Sequence, residues 1–242
     1  MTIRGRKSVE TAPPTIRTIF ERHESDRLAV PAHALVALRE SIVTGALVGG
    51  STIRQDKVAQ AFETSKAPIR EALRELEAEG LVRFERNKGF IVTRMSLAEM
   101  QETFQIRQKL EPLAMRLAMP MLTKKDIDRA MIFHHAIEDL DDLSFLCSYN
   151  LNFHIATYAP SNARHLLRMV EHSHYVTHRY IHAAYALGHI FPSSDDDHRS
   201  IIESCRARNA DMACDLIEAH IVSTASDLRT VLQPHLSDTG ED

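Results

Sequence analysis

The 242-residue sequence lacks any apolar run of 18 residues, so no segment is expected to span a membrane. Its opening, MTIRGRKSVETAPP, is basic and polar without an apolar stretch, which argues against a secretory leader there. The three cysteines, Cys147, Cys205 and Cys214, form no CxxC pair; an odd number of thiols in helical stretches fits a reduced, cytoplasmic protein with its cysteines packed inside. The HExxH, GxSxG and P-loop patterns are all missing, so the familiar metalloprotease, serine-hydrolase and NTPase sites are not spelled out. There is no internal repeat and no low-complexity tract. After Thr93 there is no strand signal at all.

The net charge of −4 conceals an asymmetry. Residues 1–94 hold 16 Lys and Arg against 12 Asp and Glu, a net +4, while the remainder holds 13 against 21, a net −8. A basic first part on an acidic second part suggests a polyanion-binding module attached to something that is not one. Residues 1–30 have few periodic apolar positions and contain Pro13-Pro14; they read as a mobile arm with a short helix around residues 16–22. Leu35, Leu38 and Ile42 then mark a helix over 32–43, with Gly45 as its stop. A short helix over 55–62 follows, then the turn Glu63-Thr64-Ser65. Ser65 is a suitable N-cap for a helix through Glu79, Pro68 falls in its first turn, and Gly80 ends it. Its apolar face is Ile69, Ala72, Leu73 and Leu76, opposite Lys66, Arg70 and Arg74. LVRFE and FIVT around Arg86-Asn87-Lys88-Gly89 make a hairpin. Helix, helix, turn, helix and hairpin describe a winged helix-turn-helix over residues 31–95.

Beyond it the chain reads as an all-helical antiparallel bundle over 96–233, with a tail at 234–242. The capping box Ser96-x-x-Glu99 opens a helix to about Met119, in which Pro112 predicts a kink. Thr123-x-x-Asp126 opens another to about Leu140, and further helices cover 143–158, 162–188, 195–208 and 210–232. The fold class is mainly α.

A recognition helix presents its N-terminal residues to base edges in the major groove. Lys66 and Arg70, four apart, share that face; both suit the O6 and N7 acceptors of guanine, and both neutralise phosphate. Thr64 and Ser65 donate to phosphate at the helix N-terminus. Arg74 extends the basic face, and Arg86 and Lys88 flank a hairpin tip where Gly89 permits close backbone approach. For the helix alone, a solvated face paired with Glu71 and Glu75 is an equal reading; turn, helix and basic wing together favour double-stranded DNA.

Residues 35–94 resemble the DNA-binding domain of the GntR family. The segment SKAPIREALRELEAEGLV matches that signature at Ser65, Pro68, Arg70, Glu71, Ala72, Leu73, Leu76, Glu79, Gly80 and Leu81, with Gly89 on the wing. Lys66 stands where the family usually has Arg, which keeps the charge and loses the bidentate fork.

Of the 14 histidines most lie in the second part. Taken singly, His134, His135, His165, His172, His174, His178, His182 and His189 read as surface or satisfied core. Asn150 and His154 are one helical turn apart, with His198 and His220 far along the chain, and such a set suits zinc or nickel. Residues 97–232 resemble the FCD effector-binding domain of the FadR subfamily of GntR regulators. The matching pieces are Arg107-Gln108-Lys109-Leu110-Glu111, Asn150-Leu151-Asn152-Phe153-His154, Asp197-His198 and Ala219-His220. The resemblance implies a divalent metal held by Asn150, His154, His198 and His220 near a cavity for a small organic acid. It departs from the family at Asn150, a neutral residue where an Asp is usual. Arg107 has two readings, a bidentate clamp for an effector carboxylate or a structural i, i+4 pair with Glu111. Tyr149, Arg168, Tyr175 and Arg179 are further cavity candidates. The expected protein is a homodimeric regulator on a pseudo-palindromic operator. The alternatives are a metal-dependent hydrolase, although no acid follows His154, and an effector-independent architectural DNA-binding protein.

Overall fold

The structure, a computed structural model, describes residues 19, 30–138, 145–189, 191 and 194–239. The arm and short helix expected within residues 1–30 lie outside the described residues, apart from Ile19 and Val30. Ile19 is fully buried in the core of the first domain, so at that point the chain is packed rather than free.

The head contains α1 (Val30–Val43), β1 (Thr52–Ile53), α2 (Gln55–Ala61), α3 (Lys66–Ala78), β2 (Val82–Glu85) and β3 (Gly89–Val92). On α3, Ile69, Ala72, Leu73 and Leu76 recur at helical spacing, and all four are buried against α1 and the sheet. Gly80 adopts φ 72°, a left-handed conformation that a residue with a Cβ reaches only with strain, and so ends α3 cleanly. The three strands run β1-β3-β2, antiparallel throughout, with Glu85 opposite Gly89 across the hairpin. The sequence reading anticipated the hairpin but not β1, which pairs Thr52 with Ile91 and Ile53 with Phe90.

The second domain contains α4 (Leu97–Ala118), α5 (Lys124–Glu138), α6 (Leu146–Tyr158), a 3-10 turn (Ala159–Ser161), α7 (Arg164–Ala186), α8 (Ser194–Arg206) and α9 (Ala210–Leu232). A single apolar cluster holds them together, centred on residues such as Phe104, Phe153, Tyr180, Ile217 and Ile221. α4 and α9 lie antiparallel, tied at Arg116–Asp211 (2.7 Å) and Lys109–Glu218 (3.5 Å). α4 runs as one helix from Leu97 to Ala118 with Pro112 inside it, as the capping box and the periodicity predict. The segment after Leu232 turns back, and the carbonyls of Ser237 and Asp238 accept from the N–H groups of Leu97 and Ala98. That satisfies two of the donors a helix N-terminus leaves open. All three cysteines are free and buried, and burial pushes the Cys147 and Cys205 thiols up to about 12.

The capping box at α4 has an unexpected partner. Ser96 Oγ accepts from Glu99 N–H at 3.1 Å, as the sequence predicts. The return half is relayed: Ser96 N–H donates to the Tyr180 hydroxyl (3.2 Å), which donates to the Glu99 carboxylate. The joint between the domains therefore rests on α7. Arg179, 4% exposed, donates to Thr93 Oγ1 at 2.9 Å and to the Thr93 carbonyl. Thr93 Oγ1 in turn donates to the carbonyls of Gly80 (2.9 Å) and Leu81 (3.1 Å), just past the end of α3. Beside it, the Arg39 guanidinium lies 4.2 Å from the centre of the Tyr175 ring and pairs through two hydrogen bonds with Glu79, the C-cap of α3. Tyr175 and Arg179, expected as cavity residues, are thus joint residues.

Candidate functional site

Two clusters of polar side chains stand out. The first is on the head. Ser65 is the N-cap of α3, yet its side chain makes no capping bond. Lys66, Arg70 and Arg74 project from the exposed side of α3. Their partners are not Glu71 and Glu75: Lys66 pairs with Asp56 at 2.6 Å, Arg74 with Glu77 at 3.4 Å, and Arg70 Nε reaches Gln55 Oε1 at 3.4 Å. Each is a solvent-screened contact worth little, so a phosphate or base edge displaces it cheaply. On the wing, Arg86, Asn87 and Lys88 are exposed, Lys88 pairs with Glu85 (2.9 Å), and Gly89 has φ 83°. Thr64 is half-buried at the turn.

The second cluster is inside the bundle, where α4, α6, α7, α8 and α9 meet. His154 on α6, His198 on α8 and His220 on α9 are all buried, and each offers a ring nitrogen within 4.8 Å of the others'. Their ring centroids are 5.0 to 5.7 Å apart. Phe153 stacks on His198 at 4.0 Å and closes one side. Burial pushes the His154 and His198 imidazoles well below their usual range, and the neighbouring rings push the same way. Both are therefore neutral, the form that ligates a metal. Among the described residues, Nε2 of His154 and both nitrogens of His198 have no hydrogen-bond partner. Buried polar atoms left this way each cost about 1–3 kcal/mol. A borderline divalent ion relieves that cost, so the donor set fits one. Asn150 is half-buried one turn before His154 on α6.

A wider polar core adjoins the triad. Glu111, fully buried, accepts from Arg107 Nε at 2.6 Å and from the Tyr158 hydroxyl at 3.0 Å. It also lies 3.2 Å from His174 Nε2. Burial alone would raise its carboxyl, but Arg107, with His174 and His154, outweighs this and holds it well below the usual carboxylate range. Arg107 also donates to Thr177 Oγ1 (3.1 Å), and its other terminal nitrogen is 3.2 Å from His174 Nε2. The i, i+4 pair is therefore formed. Glu111, His154 and His174 also meet the spacing for a metal. The Arg107 cation against the same two side chains makes that position hostile to a second cation.

The sequence reading missed much of this core. His174 and His178, taken singly as surface or satisfied core, are buried beside His154 with ring contacts of 5.0 Å (His154–His174) and 5.8 Å (His174–His178). His134 is likewise buried, 6.0 Å from His198. His135, His165 and His172 are exposed, as expected. Tyr149 packs between Phe133 and Phe145. Arg168 lines an outer groove of about 370 Å³ between α4 and α7, which includes none of the triad.

Comparison with known proteins agrees with both halves. Residues 32–92 match the model for bacterial regulatory proteins of the gntR family, and residues 102–223 match the FCD domain. The chain is 28% identical over 204 residues to the uncharacterized HTH-type transcriptional regulator YdhC of Bacillus subtilis, covering 81% of this chain and 89% of that one. Over 74 residues (31% of this chain, 30% of the other) it is 35% identical to the gluconate operon transcriptional repressor of Bacillus licheniformis. Among solved structures it is similar to a GntR family regulator from Pseudomonas syringae, with 27% identity, a TM-score of 0.52 and 84% and 86% coverage. It shares the fold of Escherichia coli McbR/YncC at 21% identity, a TM-score of 0.73 and 84% and 98% coverage. These relatives are regulators rather than enzymes, which removes the hydrolase alternative. Among the described residues no helix is long and apolar enough to cross a membrane. A winged head followed by a helical domain of this kind places the chain in the GntR family of bacterial transcription regulators, among the members that carry an FCD domain.

Proposed function

We propose that this cytoplasmic regulator binds a pseudo-palindromic operator as a homodimer, and that a small organic acid bound beside a divalent ion in its FCD domain sets its affinity for DNA. The observation that carries the sensor reading is the convergence of three buried imidazoles, two of which, His154 and His198, have ring nitrogens without a hydrogen-bond partner among the described residues. His154, His198 and His220 would hold zinc or nickel, with Asn150 as the fourth ligand. Bound there, the ion supplies positive charge and open coordination positions for a carboxylate.

Arg107 is the second effector contact. Its Nε stays on Glu111, while the NH1 and NH2 edge, now resting on Thr177 and His174, turns to the carboxylate. Both displaced partners belong to α7, the helix that also carries Tyr175 and Arg179 to the head. Effector binding thus biases the seating of α7, and with it the end of α3, by whatever its affinity differs between the two seatings.

DNA reading falls to α3 and the wing. Arg70 contacts a guanine edge, Lys66 and Arg74 contact phosphate, Thr64 and Ser65 hold a phosphate at the helix N-terminus, and Arg86, Lys88 and Gly89 approach the neighbouring groove. The test is selection of bound duplexes from a random pool, then anisotropy titration of the winner. The wild-type chain should enrich two half-sites about one helical turn apart, and Arg70→Ala should lose that preference while keeping its oligomeric state. Undiminished affinity in Arg70→Ala sinks the assignment.

A further inference from the structure

The four proposed metal ligands carry no charge, because the usual acidic position is occupied by Asn150. The charge is nonetheless close at hand, one shell further out. Asp197 Oδ2 lies 3.0 Å from Nδ1 of His220. A carboxylate only accepts, so this contact requires the hydrogen on Nδ1 and leaves Nε2 of His220 with its lone pair. Asp197 therefore touches the far nitrogen of the ring and is not itself a ligand.

His154 is held in the same way by a relay. The Tyr158 hydroxyl donates to Glu111 Oε2 at 3.0 Å, so its one hydrogen is committed. Toward Nδ1 of His154, 3.3 Å away, that oxygen acts as the acceptor. Glu111 itself is 3.5 Å from Nδ1, too far for a good direct bond. His154 Nδ1 is thereby protonated, and its Nε2 is the buried nitrogen without a partner.

We propose that Asp197, and Glu111 acting through Tyr158, are positioning residues that fix His220 and His154 in the Nδ1–H tautomer. They turn both Nε2 lone pairs to one ion and supply the negative charge that Asn150 does not. The proposal rests on the metal reading above. Ring nitrogens backed by carboxylates are better donors and are already oriented, and losing such a backing partner lowers metal affinity by about 10–100-fold.

The experiment uses the full chain and zinc alone, titrated against a chromophoric chelator, with circular dichroism as a fold check. Asp197→Ala should bind zinc about 10–100-fold more weakly than wild type. Asp197→Asn, whose amide oxygen still accepts from Nδ1–H but carries no charge, should fall between the two. Tyr158→Phe should weaken binding too, because it breaks the relay from the other side. In metal-free protein, long-range nitrogen–proton spectra of labelled histidine should show His220 as a single Nδ1–H tautomer in wild type and as a mixture in Asp197→Ala. A wild-type chain that does not retain zinc overturns the metal reading and this proposal with it. Retention by wild type with equal affinity in Asp197→Ala overturns the proposal alone. Should Asp197→Ala fail to fold, wild-type affinity in both Asp197→Asn and Tyr158→Phe overturns it as well.

Discussion

Lowering the pH of the metal-free protein should destabilise the sensor domain well before its carboxylates titrate. His154, His178 and His198 are fully buried, and burial pushes each imidazole well below its ordinary value of 6.5; His174 is lowered as well. Once unfolded, each takes up a proton near pH 6.5. The unfolded state therefore binds more protons, and stability rises with pH. The contribution is complete above about pH 6.5 and is lost as the pH falls below it. A ring that stays neutral when folded forgoes about 1.4 kcal/mol at pH 5.5, a figure set by the unfolded value alone. Three such rings forgo about 4 kcal/mol at pH 5.5 and about 6 at pH 5, against a typical total of about 5–15 for a domain. Glu111, held low by Arg107, adds its own loss only below about 4.5, in a separate window. The sequence has no tryptophan, so the assay is urea denaturation followed by far-UV circular dichroism after dialysis against chelator, at about pH 7.5, 6.5 and 5.5. Stability should fall by about 1 kcal/mol between the first two and by about 3 more to the third. A curve that stays flat to pH 5.5, or rises, refutes the neutral buried cluster.

Two further perturbations address the head and the joint. Leu73→Ala, fully buried on α3, should destabilise the head by about 2–5 kcal/mol in thermal or urea unfolding while leaving zinc affinity unchanged; a loss below about 1 would mean the α3 face is not core. Thr93→Val keeps the side-chain shape but removes the hydroxyl between Arg179 and the Gly80 and Leu81 carbonyls; the Leu81 carbonyl keeps the Thr93 N–H, and the buried Arg179 keeps the Thr93 carbonyl but loses one partner. It should cost about 1 kcal/mol and speed backbone hydrogen exchange around residues 93–97, and wild-type exchange there would show that the hydroxyl does not hold the joint.

The head was legible because its signals are contiguous. Ser65, the Ile69–Ala72–Leu73–Leu76 face and Gly80 delimit α3 within sixteen residues, and each has a local cause. The helices of the second domain were legible from periodicity and capping boxes, and Thr123 with Asp126 forms the box its spelling predicts. What escaped notice joins residues far apart. Tyr180 completes the cap of Ser96 from 84 positions away, and Arg179 reaches Thr93 over 86. For His174 and His178 the sequence leaves surface and core open, because a helical histidine looks alike in sequence whether it faces water or, as His174 does, the buried Glu111–Arg107 pair. The triad itself came from family resemblance, since no local rule ties His154 to rings 44 and 66 residues further on.

The Thr93 joint bears on how such regulators are recombined. Moving this head onto a different sensor transplants one partner of each pair and strands the other. Thr93 and Arg39 travel with the head, whereas Arg179 and Tyr175 remain with the donor's bundle. A working chimera would need a recipient helix with an arginine and an aromatic ring four positions apart, so the exchangeable unit is the head plus a two-residue socket rather than the head alone.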